Sequence, residues 1–360
     1  MIAQPAYKKI VIKIGTNVIT RDNGLLDTDV MAHLVEQIGT IKKSGADVIM
    51  VSSGAIGAGR PLLKPKKAAA VIHQQLLAAV GQIPLMDTYT KLFRSHDLTV
   101  AQVLAVKEDF RDRTHYLNMQ NCFEALLHNA VIPIVNENDV IAISELMFTD
   151  NDELAGLIAA MMNVDALIIL SNIDGVFDGD PHDSASRVIP EIDAKRTDFE
   201  SIISPRKSSF GRGGMLTKSR IARKLSTLGI VTHIANGKDQ NTLRDIFAGK
   251  PVGTRFVTNK HASGMKRWIA HAEGNEKGSV LVNTCAAELL RSQEKIMSLL
   301  PVGCIKIEGE FAKGDVIKIC DEKGTQIGIG MAQYDSGRAR EYLGQKGKKE
   351  LVHYDYLFIK

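Results

Sequence analysis

The sequence predicts an α/β protein: an open, mainly parallel sheet sandwiched by helices, followed by a small β-rich C-terminal domain. Three observations predict it. Short apolar, β-branched runs alternate with helical patterns through the first 250 or so residues. Several of those runs, such as "DVIMVSSG" (47–54), are apolar at successive positions, as strands buried on both faces must be. Near residue 250 the alternation stops, and short strand-like pieces punctuated by glycine take over.

"YKKIVIKIG" (7–15) reads as the first strand. In "DTDVMAHLVEQIGTIKKSG" (27–45), Val30, Leu34, Val35, Ile38 and Ile41 share one helical face. Asp27 or Asp29 is placed to cap that helix and Gly45 to end it. A helix over about 68–80 precedes the strand "LTVAQVLAV" (98–106), and a helix around 115–129 leads to "AVIPIVNEND" (130–139). "DNDELAGLIAAMMN" (150–163) reads as a helix and "DALIILSN" (165–172) as a strand. An irregular Pro/Ser/Gly-rich region (179–214) follows, then a helix over 215–228 and the strand "IVTHIAN" (230–236). The expected organisation is an α/β domain over 1–258, a linker over 259–277 and the β-rich domain over 278–360. In the last of these, "EKGT" (322–325) is a hairpin turn, and the only helix expected is "AAELLRSQEKI" (286–296).

The bulk numbers bound the function. The 360 residues carry a net charge of +4, and 24% of them are charged, as in ordinary globular proteins. Residues 259–360 hold 16 Lys/Arg against 13 Asp/Glu, a slightly basic tail that does not demand nucleic acid. The four cysteines are widely spaced, and no metal-ligand spacing occurs, so no metal-binding residue is expected. "MIAQPAYKKI" lacks the apolar core of a signal peptide, and no run reaches the ~20 residues of a membrane span. A cytoplasmic enzyme or binding protein, with no membrane partner, is expected.

The chemistry gathers after strands, where open α/β sheets bind ligands. Lys13 stands at a strand end with Gly15 and Thr16 behind it, able to reach a phosphate or to snorkel to solvent. "SSGAIGAG" (52–59) offers Ser53 and bare N–H groups, although glycines in such a turn are often only structural. "NENDVI" (136–141) and "FTDNDELAG" (148–156) put two polar clusters at strand ends, and an N-cap needs only one such residue. "GRGGMLTK" (211–218) fails the Walker pattern, because Thr217 stands where the last glycine must be. It keeps the parts of an anion cradle: glycine N–H groups, a helix start and a lysine. Lys13 and Lys218 converging on a transferring phosphoryl group would supply charge stabilisation without covalent chemistry. A carboxylate acceptor, with a pKa of ~4.3, would need no general base.

These motifs, with "FTDNDELAGLIAAMMNVDALIILSNIDGVFDGDP", closely resemble the glutamate 5-kinase branch of the amino acid kinase family over residues 8–257. Residues 278–355 resemble a PUA domain. The resemblance implies the amino acid kinase fold and ATP-dependent phosphorylation of the L-glutamate side-chain carboxylate. The product would be L-glutamyl 5-phosphate, in the first step of proline biosynthesis. It implies that Lys13 and Lys218 contact the ATP phosphates and that Asp152 holds both lysines. Ser53, Asp139 and Asn151 match the glutamate-binding positions. Arg212, Gly213, Gly214, Met215, Leu216, Thr217 and Lys218 match the segment that closes over the nucleotide, with Mg²⁺ accompanying ATP. Ser171-Asn172 stands at a nucleotide-contacting position where the family often has Thr-Asp, so the hydroxyl is kept and a negative charge is lost. Proline feedback and a homodimer or homotetramer are also implied. A reading from another class makes the tail an RNA binder, with Lys323, Arg338, Arg340, Lys346, Lys348 and Lys349 on its expected β-turns.

Overall fold

A computed structural model describes residues 7–63, 70–141, 148, 150–181, 183–193, 214–258, 276–292 and 297–359. The chain divides into two compact units, Met1–His261 and Ala262–Lys360.

The first unit is built on an eight-stranded sheet. Its strands are β1 (Lys9–Ile14), β2 (Asp47–Ser52), β3 (Val100–Ala105), β4 (Ile132–Glu137), β5 (Ala166–Ser171), β6 (Glu191–Asp193), β7 (Val231–Asn236) and β8 (Thr254–Val257). They lie in the order β3-β4-β2-β1-β5-β7-β8-β6. All neighbours are parallel except β7 and β8. The chain builds outward from β1 on one side through β2, then returns to β5 on the other. That reversal opens a crevice at the carboxyl ends of β1 and β5, the place such sheets offer to ligands.

Strand alternation decides which β1 residue faces which layer. Ile10, Ile12 and Ile14 pack into one core with α2 (Thr28–Lys43) and α4 (Ala70–Arg94). Lys13, one step out of phase, points to the other face, where α7 (Asn151–Met161) and α8 (Met215–Thr227) lie. Among the described residues the remaining helices of this unit are α1 (Thr16–Ile19), α3 (Ala55–Gly59), α5 (Lys107–Arg111), α6 (Arg113–His128) and α9 (Thr242–Phe247). Asp27 caps α2 by accepting from Val30 N at 3.4 Å, and Gly45 follows it at φ +96°, both as the sequence predicts.

The structure corrects the sequence reading of α4. The helix does not stop near Val80 but runs through Pro84 to Arg94. Proline removes one helical hydrogen bond and ordinarily breaks a helix. Here Leu85, Tyr89 and Phe93, one turn apart, are all buried in the core, and their burial outweighs that loss.

The second unit holds a five-stranded sheet in the order β10-β9-β11-β12-β13. Its strands are β9 (Gly278–Val282), β10 (Cys304–Gly309), β11 (Val316–Cys320), β12 (Gln326–Ala332) and β13 (Val352–Ile359). Val280, Val282, Ile317, Ile319 and Ile329 centre a core of its own. The "EKGT" hairpin is present: Asp321 N donates to Thr325 O at 2.9 Å, and Gly324 takes φ +79°. Helix α10 covers Thr284–Ser292, and residues 293–296 of the expected helix lie outside the described residues. A second helix, α11 (Ser336–Tyr342), corrects the expectation of turns there: Arg338 and Arg340 are helical. Asp335 caps it by accepting from Arg338 N at 2.9 Å, and Ala339 is buried beneath it.

Candidate active site

Four chain segments meet at the crevice. β1 ends in Lys13-Ile14-Gly15, and Gly15 N donates to Leu170 O of β5 at 3.2 Å. A Cβ on Gly15 would stand 3.6 Å from Lys13 Nζ, so the glycine leaves a gap beside the ammonium. β2 ends in Ser52-Ser53-Gly54, where Gly54 at φ +108° turns the chain into α3. Only glycine adopts that conformation without strain.

The start of α7 shows how the Asp150-Asn151-Asp152 run divides its work. Asp150 is the cap: its Oδ1 accepts from the amides of Asp152 at 3.0 Å and Glu153 at 3.1 Å. Asn151 donates through Nδ2 to Ser53 Oγ at 2.8 Å and to Asn136 Oδ1 at 2.9 Å. Asp152 is 0% exposed and bridges the two lysines, with Oδ1 2.5 Å from Lys13 Nζ and Oδ2 2.9 Å from Lys218 Nζ. Lys218 reaches it from the first turn of α8, whose capping position is Gly214.

The electrostatics of the two aspartates diverge. Burial opposes the charge of Asp152, but the two ammoniums and their hydrogen bonds outweigh it and hold the carboxyl down at about 2. Burial, joined by the negative charge of Asp152, pushes Asp150 up to about 6, against the pull of both lysines. Its Oδ2 is buried without a hydrogen-bond partner among the described residues.

Lys13, Lys218 and Asp152 come together as the sequence reading expects, and Lys13 does not snorkel to solvent. Ser53 and Asn151 are hydrogen-bonded to each other. Asp139 lies two residues beyond β4, half-buried, in a turn closed by Ile141 N donating to Asn138 O at 3.2 Å. Ser171 is the last residue of β5 and is buried, while Asn172 is exposed beside it. Met215, Leu216 and Thr217 form the first turn of α8 and are half-buried. Arg212 and Gly213 lie outside the described residues.

Two members of the network escape the sequence reading. Asn136 was visible only as part of a polar cluster, yet it is buried and connects Asn151 to Gln82, whose Oε1 accepts from Asn136 Nδ2 at 3.0 Å. Nothing local marks Gln82, which lies beyond the point where the helix was expected to end. Among the described residues no group of three or more His, Cys, Asp or Glu could hold a metal ion.

A parallel sheet with this reversal, carrying paired lysines at its carboxyl edge, fits a phosphoryl-transfer protein. Residues 8–236 match the amino acid kinase family model and residues 278–353 the PUA domain model. The chain belongs to the amino acid kinase family. Within that class its relatives are specific. A glutamate 5-kinase from Bacteroides thetaiotaomicron is 52% identical over 357 residues, covering 98% of this chain and 99% of that protein. A glutamate 5-kinase from Chlorobaculum tepidum is 51% identical over 356 residues, covering 99% of this chain and 98% of that protein. Among solved structures, carbamate kinase from Giardia lamblia bound to AMP-PNP aligns with a TM-score of 0.53 at 19% identity, covering 71% of this chain and 99% of that one. UMP kinase from Bacillus anthracis aligns with a TM-score of 0.50 at 18% identity, covering 71% and 97%. These two likenesses speak for the fold alone.

Proposed function

We propose that this chain transfers the γ-phosphoryl group of ATP to the side-chain carboxylate of L-glutamate, giving L-glutamyl 5-phosphate, the first step of proline biosynthesis. The observation that carries the reading is the buried Lys13–Asp152–Lys218 bridge at the crevice, in a chain similar over its full length to glutamate 5-kinases. Lys13 and Lys218 face the transferring group and neutralise charge on its oxygens, and Asp152 keeps the two ammoniums from repelling each other out of place. Ser53, Asn151 and Asp139 hold the amino acid. The acceptor carboxylate is already ionised, so no protein base is needed. Ser171, Asn172 and residues 214–217 face the nucleotide side, and Arg212 and Gly213, outside the described residues, are assigned to the same role.

The gap over Gly15 beside Lys13 and the amides at the start of α8 suit a triphosphate. Mg²⁺ would accompany ATP and offset the charge of its phosphate oxygens. The catalytic domain is assigned to 1–258, a linker to 259–277 and the PUA-like domain to 278–360. Proline feedback at or near the glutamate site, a homodimer or homotetramer and a cytoplasmic location complete the reading. Among the described residues no helix is long and apolar enough to cross a membrane. One observation favours RNA binding as a second role for the tail: Lys348 Nζ lies 4.8 Å and Arg338 Cζ 5.5 Å from the Tyr342 ring centre, a cation-flanked aromatic surface.

ATP consumption measured with glutamate, acetylglutamate, aspartate and UMP, with hydroxylamine trapping, tests the main reading. Hydroxamate should form with glutamate. Turnover of UMP alone refutes the assignment.

A further inference from the structure

The amides behind Asn151, Asn136 buried and Gln82 half-buried, form a chain whose polarity the backbone sets. The N–H of Glu137 can only donate, and it donates to Asn136 Oδ1 at 2.9 Å. Asn136 must therefore turn its Nδ2 the other way, where it donates to Gln82 Oε1 at 3.0 Å. The same Asn136 Oδ1 accepts one proton of Asn151 Nδ2 at 2.9 Å, and Ser53 Oγ accepts the other at 2.8 Å. A primary amide has two protons, so Asn151 has no donor left. Among the described residues nothing donates to its Oδ1. Ser53, already accepting, keeps its own proton for another acceptor. The pair presents an acceptor at Asn151 and a donor at Ser53, suited to the ammonium and a carboxylate of one amino acid.

We infer that Gln82 is a positioning residue that holds Asn136 in the orientation the backbone dictates. The bond from Glu137 N joins adjacent residues and leaves the Asn136 amide plane able to swing. Gln82 gives the second fixed point, which holds Oδ1 toward Asn151. Without it Asn136 rotates, and Asn151 loses the 2.9 Å acceptor, leaving Ser53 Oγ and a longer 3.4 Å contact to Ser52 O to hold its amide against offering a donor where the ammonium needs an acceptor. The inference rests on the glutamate reading of the site.

Three substitutions test it. Gln82→Met nearly keeps the volume and helix propensity but loses the acceptor. Gln82→Lys keeps a polar side chain that can only donate, and Gln82→Glu keeps an acceptor. Hydroxamate formation is measured with L-glutamate and with glutarate, which lacks the ammonium. For Gln82→Met and Gln82→Lys, KM for glutamate is expected to rise about tenfold, with kcat and KM for ATP near wild type. The preference for glutamate over glutarate should fall about tenfold as well, and Gln82→Glu should restore both values. Wild-type KM and preference in Gln82→Met or Gln82→Lys overturns the inference. So does an equal loss of kcat, ATP affinity and melting temperature in all three, which marks structural support only. A wild-type enzyme inactive on glutamate instead sinks the underlying reading, and this one with it.

Discussion

Asp150 and Asp152 are two residues apart, and their carboxyls are displaced in opposite directions, so their substitutions should move stability in opposite directions. Asp152→Ala leaves two buried ammoniums without their counter-charge. It should lower unfolding free energy by about 3–5 kcal/mol, read from denaturant melts. The folded value of Asp152 lies below its unfolded one, so its contribution is whole above about pH 4 and is lost as pH falls toward about 2. Asp150 is the reverse case. Its folded value of about 6 lies above the unfolded one, so the stability linked to its protonated form is whole at low pH and lost as pH rises through about 6. Asp150→Asn keeps a capping oxygen and removes the disfavoured charge. It should be more stable than wild type at pH 8, by roughly 2 kcal/mol, with the gain vanishing below about pH 4. A gain that persists at pH 4 would assign the effect to something other than that carboxyl. Lys218→Ala should lower kcat by roughly 10²–10³ with little change in KM for glutamate. A collapse of glutamate affinity at unchanged kcat would place that lysine on the amino acid instead.

Elements meet most tightly where α3 crosses α4. A Cβ on Gly81 would fall 1.8 Å from Ala55 O and 2.4 Å from Gly59 N, backbone atoms that cannot rotate aside. Gly81→Ala must push α3 away from α4 and shift Ser53 and Gly54 just before it. We expect a loss of about 2–3 kcal/mol in stability and a raised KM for glutamate. Gly45→Ala is the control: its Cβ meets nothing within 4 Å, but φ is +96°. It should cost about 1–2 kcal/mol through backbone strain alone and leave KM unchanged. The glycines of "SSGAIGAG" thus have two duties that the letters do not separate. Gly54 turns the chain by its conformation, whereas Gly59 lets two helices touch, with a Cβ there 2.1 Å from Leu77 O.

At the scale of the whole molecule, each unit has its own sheet and its own core. The second unit presents Lys348 and Arg338 around Tyr342. If that surface grips structured RNA, the affinity of the full chain should fall steeply between 50 and 200 mM salt, on the order of tenfold or more for a few phosphate contacts. Tyr342→Ala should weaken binding further without altering glutamate kinase activity. Affinity indifferent to salt would leave the surface a solvated one.

Strand alternation, the capping of α2 and the carboxyl-edge placement of Lys13 and Ser53 were all legible in the letters, because each follows from local periodicity or a nearby polar residue. The helices α7 and α8 were legible too, and with them the three residues of the charge bridge. What the letters could not decide is how far α4 runs. Pro84 argues for a break, and only the core contacts of Leu85, Tyr89 and Phe93 overrule it. Gln82 was invisible for the same reason: its meaning comes from Asn136, 54 positions away, and no local pattern encodes a hydrogen bond between a helix and a distant strand end. The sequence by itself determined six of the eight strands of the sheet and their alternation with helices, but not β6, which lies in the region read as irregular, nor β8. Tertiary structure alone decided which polar side chains share one buried network, because burial leaves each of them only the partners that packing brings within reach.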